Sequence, residues 1–492
     1  MLPTNADLRY QVARLSRQIS AQERRLQEMR AQLHPLQLRL DALTYPVLTL
    51  PLEITSEIFL HCLPVVHSGV DGISTSEAPL LLLRICRQWR RIALSTPALW
   101  SRLGIDVPRR ENHATDIVDT WLGRAGQCPL SVTVKGPIKY TEIDDSDLFF
   151  ETLCRHAPTI RSLELEFDLD DWEILPQRVN FSALTELTLR LFQFDRVVDE
   201  CPSDPVEMFN DVQGLHRLFL SQIRCRLVVL PWQQLRSFTG QLYDIFECME
   251  ALSLMPHLTE CAFSMFLDEG GFEGDEAQVF SHPGIRSFTL FRTLSDTEYL
   301  AQSAELLEFV TFPNLESLQL LDVDHYDHEI LHSFLERSSP PLKRLVVHPG
   351  DDQGPTDLAL TTQALHAHLT ELEIWYPDKS LASLFFNSLG ADASFLPRLQ
   401  ELSLHCQGRR AEASVGGLVG LAAGALAKRG SLPGAAQLRK FRLIAMGTFY
   451  AMLSQAEMAP FRRLKIQGMD VFIGRGRNNC LFDTAQSGNI LV

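Results

Sequence analysis

The 492-residue sequence predicts a chain of class α followed by α/β, with helices first and a parallel sheet after them. Three patterns lead to this prediction: a heptad pattern of apolar residues, a pair of short amphipathic helices, and a six-residue apolar phrase that recurs to near the end of the chain. We expect an N-terminal coiled-coil helix at 1–46, a small helical domain at 47–103, a connector at 104–158, an irregular repeat solenoid with a curved parallel sheet at 159–470, and a polar tail at 471–492.

The N-terminal helix is predicted from apolar residues that recur alternately four and three positions apart, which is the a and d spacing of a coiled coil. The positions are Leu8, Val12, Leu15, Ile19, Gln22, Leu26, Met29, Leu33, Leu36, Leu40 and Leu43. Gln22 alone interrupts this apolar stripe, and Pro35 predicts a kink or split after His34. Because the register stays in phase so long, residues 8–43 favour a self-associating helix, as in a homodimer, or a partner-binding helix. The alternative is an amphipathic helix packed against its own protein.

The next stretch, residues 50–100, is predicted to form a small helical module. Pro51 fits the first turn of a helix, where its missing N–H has no partner to lose, and Glu53 favours the positive end of the helix dipole. A second helix has apolar residues at helical spacing and stops before Thr96-Pro97. Apolar surface on more than one side fits a domain that a partner completes. The alternative is an ordinary helical hairpin in which the same residues form only a core.

Four segments of this module stand together and in order: the start Leu50-Pro51, the pair Ile58-Phe59, the run Cys86-Arg87-Gln88-Trp89-Arg90 and the ending Pro97-Ala98-Leu99-Trp100. In this combination the module resembles an F-box. The resemblance implies docking to the Skp adaptor of an SCF (Skp, cullin, F-box) ubiquitin ligase, which is a cullin-RING ligase. Carried onto this chain, the adaptor-binding residues are Leu50, Pro51, Ile54, Ile58, Phe59, Leu82 and Cys86, while Trp89, Leu99 and Trp100 mainly hold the fold.

From residue 160 onward, the phrase apolar-x-x-apolar-x-apolar recurs at intervals of 20 to 39 residues. The copies begin at Ile160, Leu184, Leu215, Leu235, Leu258, Ile285, Leu315, Leu342, Leu369, Leu399, Leu438 and Phe461. Each copy predicts one short strand with its apolar residues inward, and stacking buries what a single copy cannot. The pattern resembles leucine-rich repeats of irregular length, with amphipathic helices expected at 327–337 and 381–389 on the other side.

The side chains interleaved between the inward residues would line the concave face of such a solenoid, and there we expect a protein target to bind, anchored near Trp375. The candidate target-binding residues are Phe219, Phe291, Glu371, Glu373, Trp375, His405, Lys440, Arg442, Arg463 and Lys465. The alternative for any one of them is a solvated position without a ligand.

Composition limits the classes of partner. A formal charge of −16 disfavours general nucleic-acid or anionic-membrane binding, although a local basic patch stays open. The ten cysteines are scattered without a Cys-x-x-Cys pair, which is typical of reduced cysteines in an intracellular protein. The N-terminus lacks the basic flank and apolar run of a signal peptide, so we expect the cytoplasm, the nucleus or both.

No catalytic motif stands out in the sequence, and we expect neither a cofactor nor a metal. The densest polar cluster is Asp322, Asp324, His325, Asp327, His328 and Glu329, for which a solvated turn is favoured over a metal site. The glycine-containing run at 413–427 imitates a membrane dimerisation face, but is short for a span and predicts an internal helix.

The two resemblances together imply an F-box protein with leucine-rich repeats, which is a non-catalytic substrate receptor. The F-box would dock the Skp adaptor, and the repeats would hold a protein target for ubiquitination. The alternative is an interaction scaffold that does not direct ubiquitination, and an enzyme in its own right has no motif to support it.

Overall fold

The computed structural model describes residues 5–41, 46–64, 73–106, 114–136, 146–191, 204–265, 279–291, 305–323, 328–349, 368–375, 379–407, 415–446, 455–475, 478–479 and 481. The chain divides into two compact units. The first, here called the helical unit, comprises Met1–Trp100 with Arg124–Gly126, and the second, the sheet unit, comprises Ser101–Gly123 with Gln127–Val492.

The helical unit begins with a long helix and continues with short ones. Its helices are α1 (Asn5–Asp41), α2 (Leu52–His61), α3 (Leu82–Ile85) and α4 (Arg87–Leu94), with single 3₁₀ turns at Pro46–Thr49 and Pro97–Trp100. Of the kink or split predicted after His34, the split does not occur, because α1 continues through Pro35 to Asp41. Proline removes one backbone hydrogen bond, and that loss does not end a helix of 37 residues.

The described residues of the sheet unit form one long sheet of 15 strands. In chain order the strands of the unit are β1 (Arg102–Asp106), β2 (Leu130–Lys135), β3 (Ile160–Phe167), β4 (Glu186–Leu191), β5 (Arg217–Ser221), β6 (Ser237–Tyr243), β7 (Glu260–Met265), β8 (Phe280–Ser281), β9 (Ser287–Phe291), β10 (Val310–Thr311), β11 (Ser317–Val323), β12 (Arg344–Pro349), β13 (Glu371–Trp375), β14 (Glu401–Gln407), β15 (Lys440–Met446), β16 (Asp470–Arg475) and β17 (Asn478–Asn479). They lie side by side in chain order, except that β8 and β10 form a separate parallel pair. Neighbours in the long sheet run parallel, apart from the antiparallel pair β16 and β17. A mixed chain with a long parallel sheet is therefore confirmed.

The strand register aligns the apolar positions of the repeated phrase into continuous buried rows. Leu187 pairs with Leu163 on one side and Leu218 on the other, and Phe288 pairs with Cys261 and Leu318. All these side chains are almost completely buried. A parallel strand that repeats its apolar residues at the same positions places them against its neighbours without a register shift, which is why the phrase builds a core.

Helices alternate with many of the strands. They are α5 (Ala114–Ala125), α6 (Ser146–His156), α7 (Ile245–Leu254), α8 (Leu306–Phe309), α9 (His328–Ser338), α10 (Lys379–Ala391), α11 (Val415–Arg429) and α12 (Gln455–Ile466). The helices expected at 327–337, 381–389 and 413–427 correspond to α9, α10 and α11. Asp244 begins α7 with a capping box, since its side chain accepts from the Glu247 backbone while Glu247 accepts from the Asp244 backbone.

The strand predicted from the last copy of the phrase, which begins at Phe461, is wrong. Phe461, Leu464 and Ile466 lie in helix α12, and the strand that follows β15 is Asp470–Arg475. A spacing of three residues suits a helix as well as the phrase, and Phe461 and Leu464 both bury on one face of α12. Ile466, the third apolar position, is 87% exposed. The signal that would have identified the true strand is the alternating pair Val471 and Ile473, both of which are buried.

The sheet also extends beyond both predicted limits of the solenoid. Strands β1 and β2 lie within the region predicted as the end of the helical domain and the connector, and β2 pairs with β3. The start of the predicted polar tail, Val471–Arg475, belongs to β16. Among the described residues, no helix combines the length and apolar character that crossing a membrane requires.

Candidate functional site

A small aromatic core holds the helical unit together. The rings of Phe59 in α2 and Trp89 in α4 pack with centroids 5.0 Å apart. The indole N–H of Trp100 donates to the carbonyl oxygen of Ala93 over 2.9 Å, and Leu99 beside it is buried. The closing tryptophan therefore ties the last turn of the unit to the end of α4, as predicted for a residue that holds the fold.

Helix α2 has a defined start and a defined inner face. The carbonyl oxygen of Pro51 accepts from both the backbone N–H and the hydroxyl of Thr55, each over 3.0 Å. Ser56 and Thr96 hydroxyls lie 3.1 Å apart, which links α2 to the end of α4. Because Thr55 and Phe59 are the buried residues of α2, the other sides of this helix face outward.

Large apolar side chains occupy these outward sides. Leu50 precedes α2 and Leu52, Ile54 and Ile58 lie on it, and their exposed fractions run from 36% to 51%. Ile54 and Ile58 follow at an interval of four, so they share one side of α2, whereas Leu52 lies on another side and Leu50 lies before the helix. Single exposed leucines are common on protein surfaces, but several large apolar side chains on and beside one short helix are typical of a binding surface. We call Leu50, Leu52, Ile54 and Ile58 the apolar row.

The predicted adaptor-binding residues divide into two groups in the structure. Leu50, Pro51, Ile54 and Ile58 are exposed, whereas Phe59 and Leu82 are buried. The prediction of a surface contact is therefore corrected for Phe59 and Leu82, which hold the core of the unit.

Cys86, the seventh predicted contact, is half-buried and caps α4, with its sulfur accepting from the Trp89 backbone N–H over 3.4 Å. The exposed apolar residues that were missed include Leu52, Leu81 and Ile85. The four-residue spacing of Leu81 and Ile85 was the sequence feature that could have identified these two residues as neighbours on one side of a helix.

The sheet unit has a second candidate surface, formed by the strand residues that alternate with the buried rows. We call this side of the sheet the open face. Between β3 and β6 it holds an arginine cluster, made of Glu164, Arg190, Phe219 and Gln241. The Arg190 guanidinium lies over the Phe219 ring, 4.0 Å from its centroid, and reaches Glu164 at 3.4 Å and Gln241 at 3.4 Å. A cation held by a carboxylate and an aromatic face is a rigid surface feature.

A tryptophan cluster lies further along the open face, on β12 to β14. The Trp375 indole and the His405 imidazole stack with centroids 3.9 Å apart and an interplanar angle of 4°. Glu373 is the common acceptor of both rings, with its Oε1 2.8 Å from the Trp375 indole nitrogen and 3.0 Å from the His405 Nε2. Arg344 approaches Glu371 and Glu373, each at 3.6 Å. The register explains this meeting, because Trp375 and His405 pair directly across two parallel strands.

The hydrogen bond from His405 holds the pKa of Glu373 below its ordinary value, and the Trp375 bond and the charge of Arg344 act in the same direction against the opposing effect of burial. Glu373 is therefore charged at neutral pH. The result is a flat aromatic platform, held in place by one carboxylate.

The structure places most predicted target-binding residues on the open face. Glu371, Glu373, Trp375 and His405 come together in the tryptophan cluster, and Phe219 lies in the arginine cluster, whereas Phe291, Lys440 and Arg442 lie on other strands. Lys440 pairs with Glu401 at 2.6 Å. The placement of Arg463 and Lys465 is wrong, since both lie on helix α12 and not on a strand. Gln241 and Arg344 were missed, although Arg344 is the direct register partner of the predicted Glu371.

No cluster of three or more His, Cys, Asp or Glu residues that could hold a metal ion occurs in the described parts of the chain. The polar cluster predicted around Asp322 to Glu329 includes residues 324–327, which lie outside the described residues. Within each of the two open-face clusters, the polar side chains contact one another. Their chemistry is that of a surface for recognition, with planar rings, fixed charges and hydrogen-bonding edges.

Comparison with known proteins gives no match: no family model fits the chain, and no curated protein matches it.

Proposed function

We propose that the protein is a non-catalytic substrate receptor of an SCF-type cullin-RING ubiquitin ligase. The helical unit docks the Skp adaptor, and the open face of the sheet holds a protein target. The observation that carries the proposal is the apolar row, since Leu50, Leu52, Ile54 and Ile58 are exposed although the unit already has a closed aromatic core. Apolar side chains that the fold itself does not need are the ones a partner can bury.

The docking residues in this proposal are Leu50, Pro51, Ile54 and Ile58 from the F-box resemblance, with Leu52 added by its exposure. Fully burying a side chain of this size stabilises a complex by about 1.5–3 kcal/mol, before the cost of association is subtracted. Exposed apolar residues at the start of a helix and along it are suited to the apolar groove of a partner.

The target side of the proposal rests on the tryptophan cluster. Trp375 is half-buried and its ring is held in place by stacking on the buried His405, and aromatic residues with a fixed orientation are the usual anchors of protein interfaces. Arg344, Glu371 and Lys440 lie on the same face of the sheet and would select partners by charge. In such a receptor catalysis comes from proximity, because holding the target lysine and the ubiquitin thioester together raises their effective concentration. The proposal implies action in the cytoplasm, the nucleus or both.

A second candidate function is a scaffold that assembles proteins without directing ubiquitination. One observation favours it: α1 is a long helix whose apolar positions are exposed, as in an assembly element. A scaffold and a receptor would bind the adaptor equally well, so transfer of ubiquitin separates them.

The first test is co-purification of the full chain with a Skp adaptor, comparing the wild type with the double variant Leu50→Ala and Pro51→Ala. A matched control is Leu384→Ala, which truncates an exposed leucine on α10 of the sheet unit. We expect the adaptor to be retained by the wild type and by the control, and lost from the double variant. Failure of the wild type to bind, or binding that survives in the double variant, would overturn the proposal.

The second test is transfer of ubiquitin in a reconstituted ligase to proteins captured by the sheet unit in the full chain. We expect transfer that depends on Trp375, measured with Trp375→Ala. Adaptor binding without any transfer of ubiquitin to captured proteins would favour the scaffold function over the receptor function.

A further inference from the structure

Helix α1 exposes side chains on all its sides. Every described side chain from Arg9 to Arg39 is exposed, including the apolar positions of the heptad pattern. Val12, Ile19 and Leu36 are 57–63% exposed, and Leu26 is 45% exposed. In the structure, α1 therefore does not pack against its own protein, which was the alternative prediction. A stripe of large apolar residues along a 37-residue helix needs an occupant.

The period of the stripe defines the kind of occupant. Residues at alternating intervals of four and three repeat every 3.5 residues, whereas a straight α-helix turns every 3.6. On a straight helix such a stripe drifts by ~20° per heptad, or roughly 90° from Leu8 to Leu40, so a flat protein surface would lose contact with it. Supercoiling around another helix of the same period keeps the stripe facing its partner along the whole length. The occupant is therefore a helix with a heptad pattern.

The chain itself supplies a helix of that description, in a second copy. Among the described residues the next longest helix is α11, with 15 residues, so α1 has no partner of matching length within the same chain. A second α1 matches in length and period by identity. Closed two-fold pairs of this kind are the commonest assemblies of identical chains.

The residues at the a and d positions indicate a coiled coil of two parallel helices. The first two a positions are the β-branched Val12 and Ile19, and leucines predominate at d, which is the combination that favours parallel dimers. Gln22 stands at a d position, so in a parallel pair in register it faces Gln22 of the other copy, and the two amides bond to each other. In an antiparallel pair each Gln22 would face an apolar residue and leave its amide unpaired.

Charge opposes this arrangement only weakly. In the parallel pair Arg25 at g lies near Arg30 at e of the other copy, which is a repulsive contact. Both side chains are exposed, and repulsion between exposed charges is small and screened by salt, whereas an unpaired amide in an apolar seam is expensive. The amide pairing therefore decides the orientation.

We propose that α1 pairs in parallel and in register with α1 of a second copy of this chain, with a Gln22 layer at its centre. The covalent chain after Asp41 then leaves both copies at the same end of the coiled coil. The assembly then contains two helical units and two open faces. This inference does not depend on the proposed function, because it concerns α1 alone.

The test of pairing uses the full chain and sedimentation equilibrium at micromolar concentration. We expect a dimer for the wild type, a monomer for Leu26→Lys, which places a charge in the seam, and a dimer for the matched control Gln27→Lys on the outer side of α1. Circular dichroism checks that the variant remains folded. A monomeric wild type, or a dimer that survives Leu26→Lys, would overturn the proposal.

The test of orientation uses cysteine cross-linking in the full chain under a mild oxidant, with the wild type as control for its ten native cysteines. Gln22→Cys places two thiols in one layer of a parallel pair, within reach of a disulfide. Gln27→Cys places them on opposite outer sides. We expect a covalent dimer for Gln22→Cys and none for Gln27→Cys or the wild type. A dimer in solution without the Gln22→Cys cross-link would overturn the parallel register.

Discussion

The helical unit and the sheet unit use the same kinds of side chain, but bury them to different degrees. In the sheet unit the rows built by Leu187, Leu218 and Leu318 are almost fully buried, and the neighbouring strands cover them. In the helical unit Leu52 and Ile54 are about half exposed on a helix of 10 residues. Leucine and isoleucine therefore do not identify a core by themselves.

The difference follows from how each unit is built. A repeating strand finds the same apolar positions on both neighbours, so each added copy buries what the previous copy exposed. A few short helical turns have too little surface to cover all their apolar residues. What remains exposed in the helical unit is apolar, whereas what the sheet exposes is its open face of rings and charges.

The largest effect that we predict contrasts a buried with an exposed leucine in the sheet unit. Leu318→Ala on β11 removes a completely buried side chain and leaves a cavity, so the free energy of unfolding should fall by about 2–5 kcal/mol. Leu384→Ala on α10, whose leucine is 58% exposed, should change it by about 0.5 kcal/mol or less. Urea unfolding of both variants measures the difference. Equal losses would contradict the assignment of the buried rows as the core.

A smaller effect contrasts two glycines of the sheet unit. A Cβ at Gly284 would lie 2.7 Å from the carbonyl oxygen of Leu258, so Gly284→Ala must shift the backbone and should cost about 1–3 kcal/mol. A Cβ at Gly420 in α11 meets nothing within 4 Å, and Gly420→Ala should stabilise the helix by about 0.5–1 kcal/mol. Opposite shifts in Tm are the expected result. A destabilised Gly420→Ala variant would show that this side of α11 is closely packed.

The smallest effect concerns pH and the tryptophan cluster. Because its partners lower the pKa of Glu373 below the ordinary 4.5, the ionised carboxylate stabilises the folded state above pH 4.5, and this contribution is lost as the pH falls through the folded-state pKa. Glu373 is partly exposed, so we expect less than about 1 kcal/mol. Glu373→Gln should lower Tm at pH 7, and the gap from wild type should close in acid. A gap that stays constant with pH would contradict the ionic role of Glu373.

The repeated phrase predicted most of the sheet, because a parallel strand in register needs only one pattern to place its buried residues. The error at Phe461 and Leu464 has the converse reason, since a three-residue spacing fits both a strand phrase and a helix face, and the deciding residue, Ile466, is exposed. Strand β1 carries the same spacing, at Trp100, Leu103 and Ile105, although the repeats were predicted to begin only at residue 160.

The candidate surfaces were harder to predict than the fold. The sequence could not separate Ile58 from Phe59, because both are large and apolar and only the packing of Trp89 against Phe59 decides which one is buried. The tryptophan cluster required two facts, that Trp375 and His405 pair across neighbouring strands and that Glu373 can reach both. The first follows from aligned repeats, but the second depends on rotamers that a sequence pattern does not encode.

The comparison between the two units depends most directly on Ile54. Its exposed position means that the fold does not need it, and the proposed docking means that the adaptor does. We would measure the Tm of the full chain and its affinity for a Skp adaptor by calorimetric titration, for the wild type and Ile54→Asp. For Ile54→Asp we expect a Tm within a few degrees of wild type and an affinity for the adaptor at least ~10-fold weaker. An unchanged affinity, or a loss of folding that accompanies the loss of binding, would contradict it.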